Sequence, residues 1–520
     1  MTREIHHLRG LLEGIVRVPG VADREVRGLQ LDSRRVQPGD LFIAAPGMTA
    51  DGRDYIGDAV ASGASAVVYE TDDGFALRGA PLPAFGISNL RDKIGVIAER
   101  FYGAPSRRIV VTGVTGTNGK TTCTQLLAQA LDHMESRAAR SARLPLPLAG
   151  EGMRVREAGN ESKPWRRCAI IGTLGYGFPG ALNPSLHTTP DAVTVHRLLA
   201  DFLRQGATHV AMEVSSHALG QGRVAGVAFN VAVFTNLTRD HLDYHGDMES
   251  YGAAKAGLFA VEGLKYAVIN HDDAFGKSLL AGIDTRIKAL SYGIEGGDVR
   301  ALAVQALPEG LALRITTPDG ETELRSPLIG RFNAYNLLAV LATLLALGVK
   351  LEDAAARLSR AQAPSGRVER FGGLKGLPLV VVDYAHTPDA LEKILLALRE
   401  HVHGKLWCVF GCGGDRDRGK RPVMGEIAER LADAVVLTDD NPRHEPGEAI
   451  IGDIIGGMRA SPQVIRDRRV AIEATISAAG ENDIVLIAGK GHEEYQQVGD
   501  ERLPYSDRAA VREILGEAAA

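Results

Sequence analysis

Short, nearly continuous apolar runs recur along this chain, each closed by Gly, Pro or a polar turn. They include Leu41-Phe-Ile-Ala-Ala45, Ala66-Val-Val-Tyr69, Cys168-Ala-Ile-Ile171, Leu379-Val-Val-Val382, Leu406-Trp-Cys-Val-Phe410 and Ile484-Val-Leu-Ile-Ala488. A strand that is apolar on both sides must be covered on both faces. Parallel sheets flanked by helices meet that requirement, whereas half-exposed antiparallel sheets alternate. Stretches with helical character, such as 121–133 and 333–347, separate the runs. The pattern predicts an α/β protein built from βα units.

The chain has 520 residues, more than one hydrophobic core normally serves, and the runs fall into three groups. Residues 1–107 read as a small N-terminal α/β domain. Residues 108–366 read as a central parallel-sheet domain of βα units, and 367–520 as a C-terminal doubly wound, Rossmann-like domain. The segment 134–167 is rich in Pro, Gly and Arg and has no period. It is expected to be a disordered surface insertion.

The formal charge of −5 argues against a nucleic-acid partner, since such proteins are usually basic. No apolar run reaches the roughly 18 residues of a membrane span. The N-terminus MTREIHHLRG has no apolar signal region, and four cysteines are too few for a disulfide scaffold. The expectation is a soluble cytoplasmic protein, monomeric, without integral membrane association. Cys408 and Cys412 read as small buried residues.

One motif carries chemistry directly. Gly113-Val-Thr-Gly116-Thr117-Asn118-Gly119-Lys120-Thr121-Thr122 lies between a predicted strand and a predicted helix. Backbone N–H groups of such a turn cradle phosphates at the positive end of the helix. Lys120 would reach the β- and γ-phosphates and Thr121 would offer its hydroxyl to Mg²⁺. Glu213 ends the strand His209-Val-Ala-Met-Glu, at the carboxyl edge where ligands bind in such sheets, and suits a magnesium ligand. Asn333 and Asn336, spaced i and i+3, share one face of a helix.

The string Gly116-Thr-Asn-Gly-Lys-Thr-Thr122 resembles the Mur ligase family of ATP-dependent amide-forming enzymes. Further segments fall in that family's order: Glu213-Val-Ser-Ser-His217, Thr235-Asn-Leu-Thr-Arg-Asp-His241, Ala254-Lys255, Gly330-Arg-Phe-Asn333, Ser365-Gly-Arg367, Asp383-Tyr-Ala-His386 and Asp439-Asp-Asn-Pro-Arg443. The resemblance covers essentially the whole chain except 134–167. It implies the substrates UDP-N-acetylmuramoyl-L-alanyl-D-glutamate, meso-diaminopimelate and ATP, probed through an acyl-phosphate and a tetrahedral intermediate in peptidoglycan synthesis. It implies two Mg²⁺ ions, held by Thr121, Glu213, His241 and Lys255. Lys255 would carry a CO₂-derived carbamate, which turns a cation into an oxygen ligand.

The remaining roles are also implied by the resemblance. Lys120, Glu213, His241 and Lys255 would be catalytic. ATP would be bound by Gly116, Thr117, Asn118, Gly119, Lys120, Thr121, Thr122, Asn333, Asn336, Arg367, Asp383 and His386. The UDP-muramoyl dipeptide would meet Leu31, Ser33, Met48, Thr49, Ala50, Thr188, Thr189, Ser215, Gln221 and Arg223. Diaminopimelate would meet Arg416, Asp440, Asn441, Pro442, Arg443, Gly489 and Glu493. Arg443 would grip its distal carboxylate through paired hydrogen bonds. The alternatives at this stage are the same ligase using L-lysine, a folylpolyglutamate synthetase, and a nucleotide-binding scaffold without activity. The presence of Lys120, Glu213, Lys255, Asp383 and Arg443 together disfavours the scaffold.

Overall fold

The computed structural model describes residues 6–47, 50–132, 134–135, 165–185, 187–307, 309–373 and 376–517. The N-terminal sheet has four parallel strands, β1 (Gly28–Gln30), β2 (Asp40–Ala44), β3 (Ala66–Glu70) and β4 (Ala84–Ile87), in that spatial order. Successive strand residues point to opposite faces. Phe42, Ala44 and Val67 therefore pack on Ile56 and Ala59 of helix α1 (Ile56–Ala61). Leu41, Ile43 and Val68 pack on Leu90, Ile94 and Ile97 of α2 (Leu90–Phe101). This two-sided burial is what the continuous apolar runs predict.

The next sheet begins with β5 (Val110–Thr115), followed by helix α3 (Lys120–Leu131). Strands β6 (Cys168–Gly172), β7 (Gly175–Phe178) and β8 (Ala181–Asn183) come next, then α4 (Ala192–Arg204), β9 (His209–Glu213), α5 (Ser216–Gly220), β10 (Val231–Phe234), α6 (Met248–Ala256) and β11 (Tyr266–Asn270). The spatial order is β8-β7-β6-β9-β5-β10-β11. The five strands from β6 to β11 are parallel, with β7 and β8 antiparallel at the edge. The chain passes to β6 and β9 on one side of β5 and later to β10 on the other. The carboxyl end of β5 is thus the switch point at which α/β sheets bind ligands.

The segment expected to be an irregular insertion is bounded by strand pairing. Met134 pairs with Arg166 and Glu135 with Trp165, antiparallel, so ladder hydrogen bonds claim its two ends. Residues 136–164 lie outside the described residues.

These two sheets belong to one compact unit; the rest of the sheet structure belongs to a second, which also takes Thr121–Leu126 and Asn270–Asp272. The long segment of the second unit begins at Ser291, inside β12 (Lys288–Gly293), and continues with an antiparallel meander of β13 (Val299–Leu307), β14 (Gly310–Thr317) and β15 (Gly320–Ser326). Helices α7 (Arg331–Ala346) and α8 (Leu351–Leu358) follow. α7 is apolar around nearly its whole circumference and is buried accordingly, from Leu337 to Leu344.

Then come β16 (Glu369–Gly372), β17 (Leu379–Asp383), α9 (Pro388–Arg399), β18 (Leu406–Phe410), α10 (Lys420–Leu431), β19 (Ala434–Leu437) and α11 (Gly447–Ile455). They are followed by β20 (Gln463–Val464), α12 (Arg468–Ala478), β21 (Ile484–Ala488), β22 (Tyr495–Val498), β23 (Glu501–Pro504) and α13 (Asp507–Leu515). The sheet order is β16-β17-β21-β18-β19-β20, parallel except for the antiparallel edge β16. Val381, Cys408 and Leu486 face α9, α10 and α11. Val380, Val409 and Val485 face α12 and α13. Thr387 starts α9 in the expected way: its hydroxyl accepts from the Ala390 N–H, and Pro388 occupies the first helical turn.

Arg468 and Asp507 join α12 to α13 with both side chains fully buried. The guanidinium donates to the carboxylate at 2.7 and 2.8 Å and to the Ala488 carbonyl at 2.9 Å. Removing one partner strands a buried charge, whereas replacing both with apolar groups does not. Arg468→Met alone is expected to destabilise this part of the protein by about 3–5 kcal/mol. The double variant Arg468→Met with Asp507→Leu should recover most of that loss. Urea unfolding followed by tryptophan fluorescence checks it; equal losses in single and double variants would refute the assignment.

Candidate active site

The phosphate loop runs from the end of β5 into α3. Gly116 adopts φ +145°, and a Cβ there would lie 1.9 Å from the Thr235 hydroxyl oxygen. Only glycine fits such a turn. The loop is tied to the segment after β10. The Thr117 N–H donates to the Asn236 carbonyl at 2.8 Å, the Asn118 N–H to Asn236 Oδ1 at 3.0 Å, and the Thr235 hydroxyl to the Asn118 carbonyl at 2.6 Å. Gly119, at φ +87°, precedes the helix, and Lys120 opens it. Lys120 Nζ donates to the carbonyls of Gly116 and Thr117 at 2.8 and 2.9 Å.

Glu213, at the carboxyl end of the neighbouring β9, is almost wholly buried. Its oxygens accept from the Thr173 N–H at 2.8 Å and the Thr173 hydroxyl at 3.1 Å. Gly172 leaves room beside it, since a Cβ would approach Oε1 to 2.3 Å. Among the described residues no cluster of three or more His, Cys, Asp or Glu could hold a metal ion. A magnesium site here must therefore recruit hydroxyl, carbamate or substrate oxygens beside Glu213, and a buried, hydrogen-bonded carboxylate suits that hard cation.

Lys255, on α6, is also buried, at 1% exposure. Its ammonium stands 4.3 Å from the centre of the Tyr251 ring. Burial, with the like charge of Lys120 adding, pushes its pKa down to about 6. Its buried setting thus disfavours the charged form of the side chain. The Tyr251 hydroxyl lies 3.2 Å from the Thr117 hydroxyl, so the phosphate loop and the lysine helix share one support. Nothing in the sequence pattern distinguished Tyr251 from an ordinary helix residue. His241 is half exposed at φ +53° and 3.5 Å from Asp240, with its ring against His217 at 4.8 Å.

The residues expected around the dipeptide form one network beside Glu213. The Thr189 hydroxyl donates to the Glu213 carbonyl at 2.7 Å and accepts from the Ser215 N–H at 3.2 Å. Arg223 donates to the Thr189 carbonyl at 2.9 Å and grips Gln221 Oε1 through two nitrogens. Thr188 meets Thr173 hydroxyl to hydroxyl at 3.0 Å. Ser215 also caps α5 by accepting from the Ala218 N–H. Thr173, which connects this network to Glu213, lies 40 residues from it in sequence, too far for spacing to reveal.

At the N-terminal sheet, Leu31 and Ser33 follow β1, and Ser33 is buried. Ala50 closes a turn by accepting from the Gly47 N–H at 2.9 Å. Met48 and Thr49 lie outside the described residues. Leu31 and Asp32 line a cavity of about 1010 Å³, together with Arg35, Tyr102 and Arg197.

In the second unit, Asn333 and Asn336 are buried and linked. Asn336 Nδ2 donates to Asn333 Oδ1, and Asn333 Nδ2 to the Ile329 carbonyl, both at 2.8 Å. Asn333 is thus a first-turn residue rather than the helix cap, which is Gly330. Asp383 accepts from the Val368 and Ala385 N–H groups at 2.8 Å each, and burial raises its pKa against the pull of Arg367. The Arg367 guanidinium lies 4.8 Å over the Tyr384 ring, and Tyr384 packs against His386 and His492. Arg367 Nε and His492 Nδ1 are buried without partners among the described residues.

The remaining expected residues meet at the loops after β18, β19 and β21. Asn441 Nδ2 donates to Glu493 at 2.9 Å, and the fully buried Lys490 reaches both Asn441 at 2.8 Å and Glu493 at 3.3 Å. Asp440 is buried and its pKa is raised by burial. Gly489 lies against it, where a Cβ would meet Oδ2 at 2.5 Å. Arg443, at φ +50°, donates from Nη1 to the Gly414 carbonyl at 2.7 Å. Its other guanidinium donors have no partner among the described residues. Pro442 precedes it and is buried; Arg416 is exposed and touches the Asp415 carbonyl at 3.2 Å.

The comparisons with known proteins agree with this geometry. Over 495 residues the chain is 51% identical to the UDP-N-acetylmuramoyl-L-alanyl-D-glutamate–2,6-diaminopimelate ligase of Chromobacterium violaceum, covering 94% of each chain. The chain belongs to the Mur ligase family. Three models of that family match it: the Mur ligase catalytic domain over residues 25–102, the middle domain over 153–344 and the glutamate ligase domain over 366–491. A similarly named ligase of Alkalilimnicola ehrlichii is 49% identical over 522 residues, with 98% of this chain and 99% of that one covered. A solved structure of a ligase of the same name superposes with a TM-score of 0.71 at 35% identity, over 98% of this chain and 99% of that chain. As a Mur ligase, the protein is an ATP-dependent, amide-bond-forming enzyme with the three-domain architecture of its family.

In this Mur ligase the closeness of Gly116 to Thr235 sets a direct test. Gly116→Ala adds a clash and about 1–3 kcal/mol of backbone strain. ATP affinity should fall by about tenfold or more, measured by calorimetry, with the circular dichroism spectrum unchanged. Unaltered affinity would show that the loop does not hold ATP.

Proposed function

We propose that this chain joins meso-diaminopimelate to UDP-N-acetylmuramoyl-L-alanyl-D-glutamate in peptidoglycan synthesis, with cleavage of ATP to ADP and phosphate. The observation that carries the reading is Arg443. Its guanidinium is anchored by one donor, and its other donors have no partner among the described residues. An amino acid with a second carboxylate on its far carbon matches that arrangement. L-Lysine would leave those remaining donors without a carboxylate to bind. The names of the similar ligases support the same reading.

Two anions meet in the first step, the substrate carboxylate and the γ-phosphate. Lys120 offsets their charge from the phosphate loop. The carboxylate oxygen attacks the γ-phosphorus, ADP leaves, and an acyl phosphate forms. The amine then attacks the acyl carbon, and the tetrahedral intermediate expels phosphate. Thr188, Thr189, Ser215, Gln221 and Arg223 orient the dipeptide, and Leu31, Ser33, Met48, Thr49 and Ala50 hold the uridine diphosphate. Asn333 and Asn336 receive the adenine and ribose of ATP, Arg367 and Asp383 contact its phosphate and ribose, and His386 lies beside the base. Gly489 and Glu493 hold the amino end of the incoming amino acid and Arg416 assists. Thr121, Glu213, His241 and Lys255 as carbamate would hold two Mg²⁺, which supply Lewis-acid screening of the phosphates. Domains 1–107, 108–366 and 367–520 would serve the UDP substrate, ATP and the amino acid respectively. On this reading the enzyme is monomeric and works in the cytoplasm. None of the described helices is long and apolar enough to cross a membrane.

Phosphate release with the UDP-linked dipeptide and a panel of amino acids tests the substrate. We expect strong turnover with meso-diaminopimelate and about 30-fold or greater preference over L-lysine, the equivalent of at least about 2 kcal/mol. Arg443→Ala should lose the former selectively. Equal use of both amino acids by the unaltered enzyme overturns the assignment. A second test concerns Lys255: its replacement by Ala should lower kcat by about 100-fold or more, with partial rescue by short carboxylates that mimic a carbamate. Normal turnover of Lys255→Ala would rule the carbamate out.

A further inference from the structure

A fully buried arginine outside the substrate set sits behind the proposed amino-acid grip. Arg421, in the first turn of α10, donates from Nη2 and Nη1 to the two oxygens of Glu445 at 2.8 and 2.9 Å. Nη1 also reaches Asp453 of α11 at 2.9 Å, and Nη2 the Gly413 carbonyl at 3.1 Å. Glu445 in turn accepts from the Asp415 N–H at 2.6 Å. One planar guanidinium therefore spans the loop after β18, the loop after β19 and a helix. The paired bonds fix orientation as well as charge. They hold the Glu445 carboxyl down at about 2.

Those two loops are the ones that present Arg416 and Arg443. They touch backbone to backbone: the Gly414 N–H donates to the Asn441 carbonyl at 2.9 Å, and a Cβ on Gly414 would meet the Pro442 carbonyl at 1.9 Å. Arg443 anchors on the Gly414 carbonyl, so the direction of its guanidinium follows the loop spacing. Without the Arg421 fork, Glu445 would lose its paired bonds to a guanidinium, while Asp453 would keep Arg418 at 3.1 Å, and the spacing of the two loops would rest on fewer bonds.

We propose that Arg421 is a positioning residue that, by clasping Glu445, sets the spacing at which Arg443 meets the distal carboxylate of the amino-acid substrate. This rests on the meso-diaminopimelate reading. The test uses the full chain and measures phosphate release as each of the three substrates is varied, for the unaltered enzyme, Arg421→Lys, Glu445→Gln and the double variant. Either single variant should raise KM for meso-diaminopimelate about tenfold or more, as a displacement of about 1 Å does at a positioned group. KM for ATP, KM for the UDP-linked dipeptide and kcat should stay within about twofold. The double variant should be no worse than the worse single one, because both remove one clasp. If Arg421→Lys does not fold, Glu445→Gln, whose side chain is partly exposed, carries the same comparison. An unchanged KM for meso-diaminopimelate, or a loss spread equally over all three substrates, overturns the proposal and leaves the substrate reading standing. Failure of the unaltered enzyme to use meso-diaminopimelate overturns both.

Discussion

The attachment of the phosphate loop to the end of β10 is the constraint on which the rest of the site depends. Hydrogen bonds to Thr235 and Asn236 hold it, and Gly116 approaches so closely that no side chain fits. Lys120 then has a fixed reach: without phosphate, its ammonium is satisfied by the loop's own carbonyls. Tyr251 carries the same frame to α6 and sets Lys255 against its ring. Two lysines in one frame repel, and burial already disfavours the second as a cation.

The second unit relies on buried, paired charge. Arg468 with Asp507, Arg421 with Glu445, and Lys490 with Asn441 and Glu493 all sit behind loops at the carboxyl ends of strands. Such pairs add little net stability, since desolvation offsets most of their attraction. Their effect here is geometric. Each joins two or more segments distant in sequence.

How much of this could be read from the sequence follows from the same physics. Strands buried on both faces appear as unbroken apolar runs, so β2, β3, β17, β18 and β21 were legible at nearly their observed limits. The meander β13–β15 was not. One of its faces is exposed along much of its length, as in Val299-Arg-Ala-Leu-Ala, and short alternating polar segments resemble loops. At the site, residues inside contiguous motifs were legible, because local spacing encodes the turn that presents them. Thr173, Tyr251, Tyr384, Lys490 and Arg421 were not, since each acts through a contact made across the fold. Arg421 stands in Gly-Lys-Arg-Pro, where an arginine reads as a solvated helix charge; only its complete burial separates it from one.

The backbone at Arg443 shows why a guanidinium suits this position. A positive φ of +50° is unfavourable for any side chain with a Cβ. It is held by the Arg443 N–H donating to the Gln497 carbonyl at 3.1 Å and by the Gly499 N–H donating to the Arg443 carbonyl at 2.8 Å. The hairpin β22–β23 thus grips the residue on both sides, and Gly414 takes one of its donors. Much of the freedom that an exposed arginine loses on binding has been removed before any substrate arrives. If Arg443 binds a carboxylate, as proposed, that carboxylate meets a planar fork already oriented, so more of the paired-bond energy goes to discrimination and less to ordering. A lysine in its place would have no fork to orient, and the strain at φ would then serve nothing.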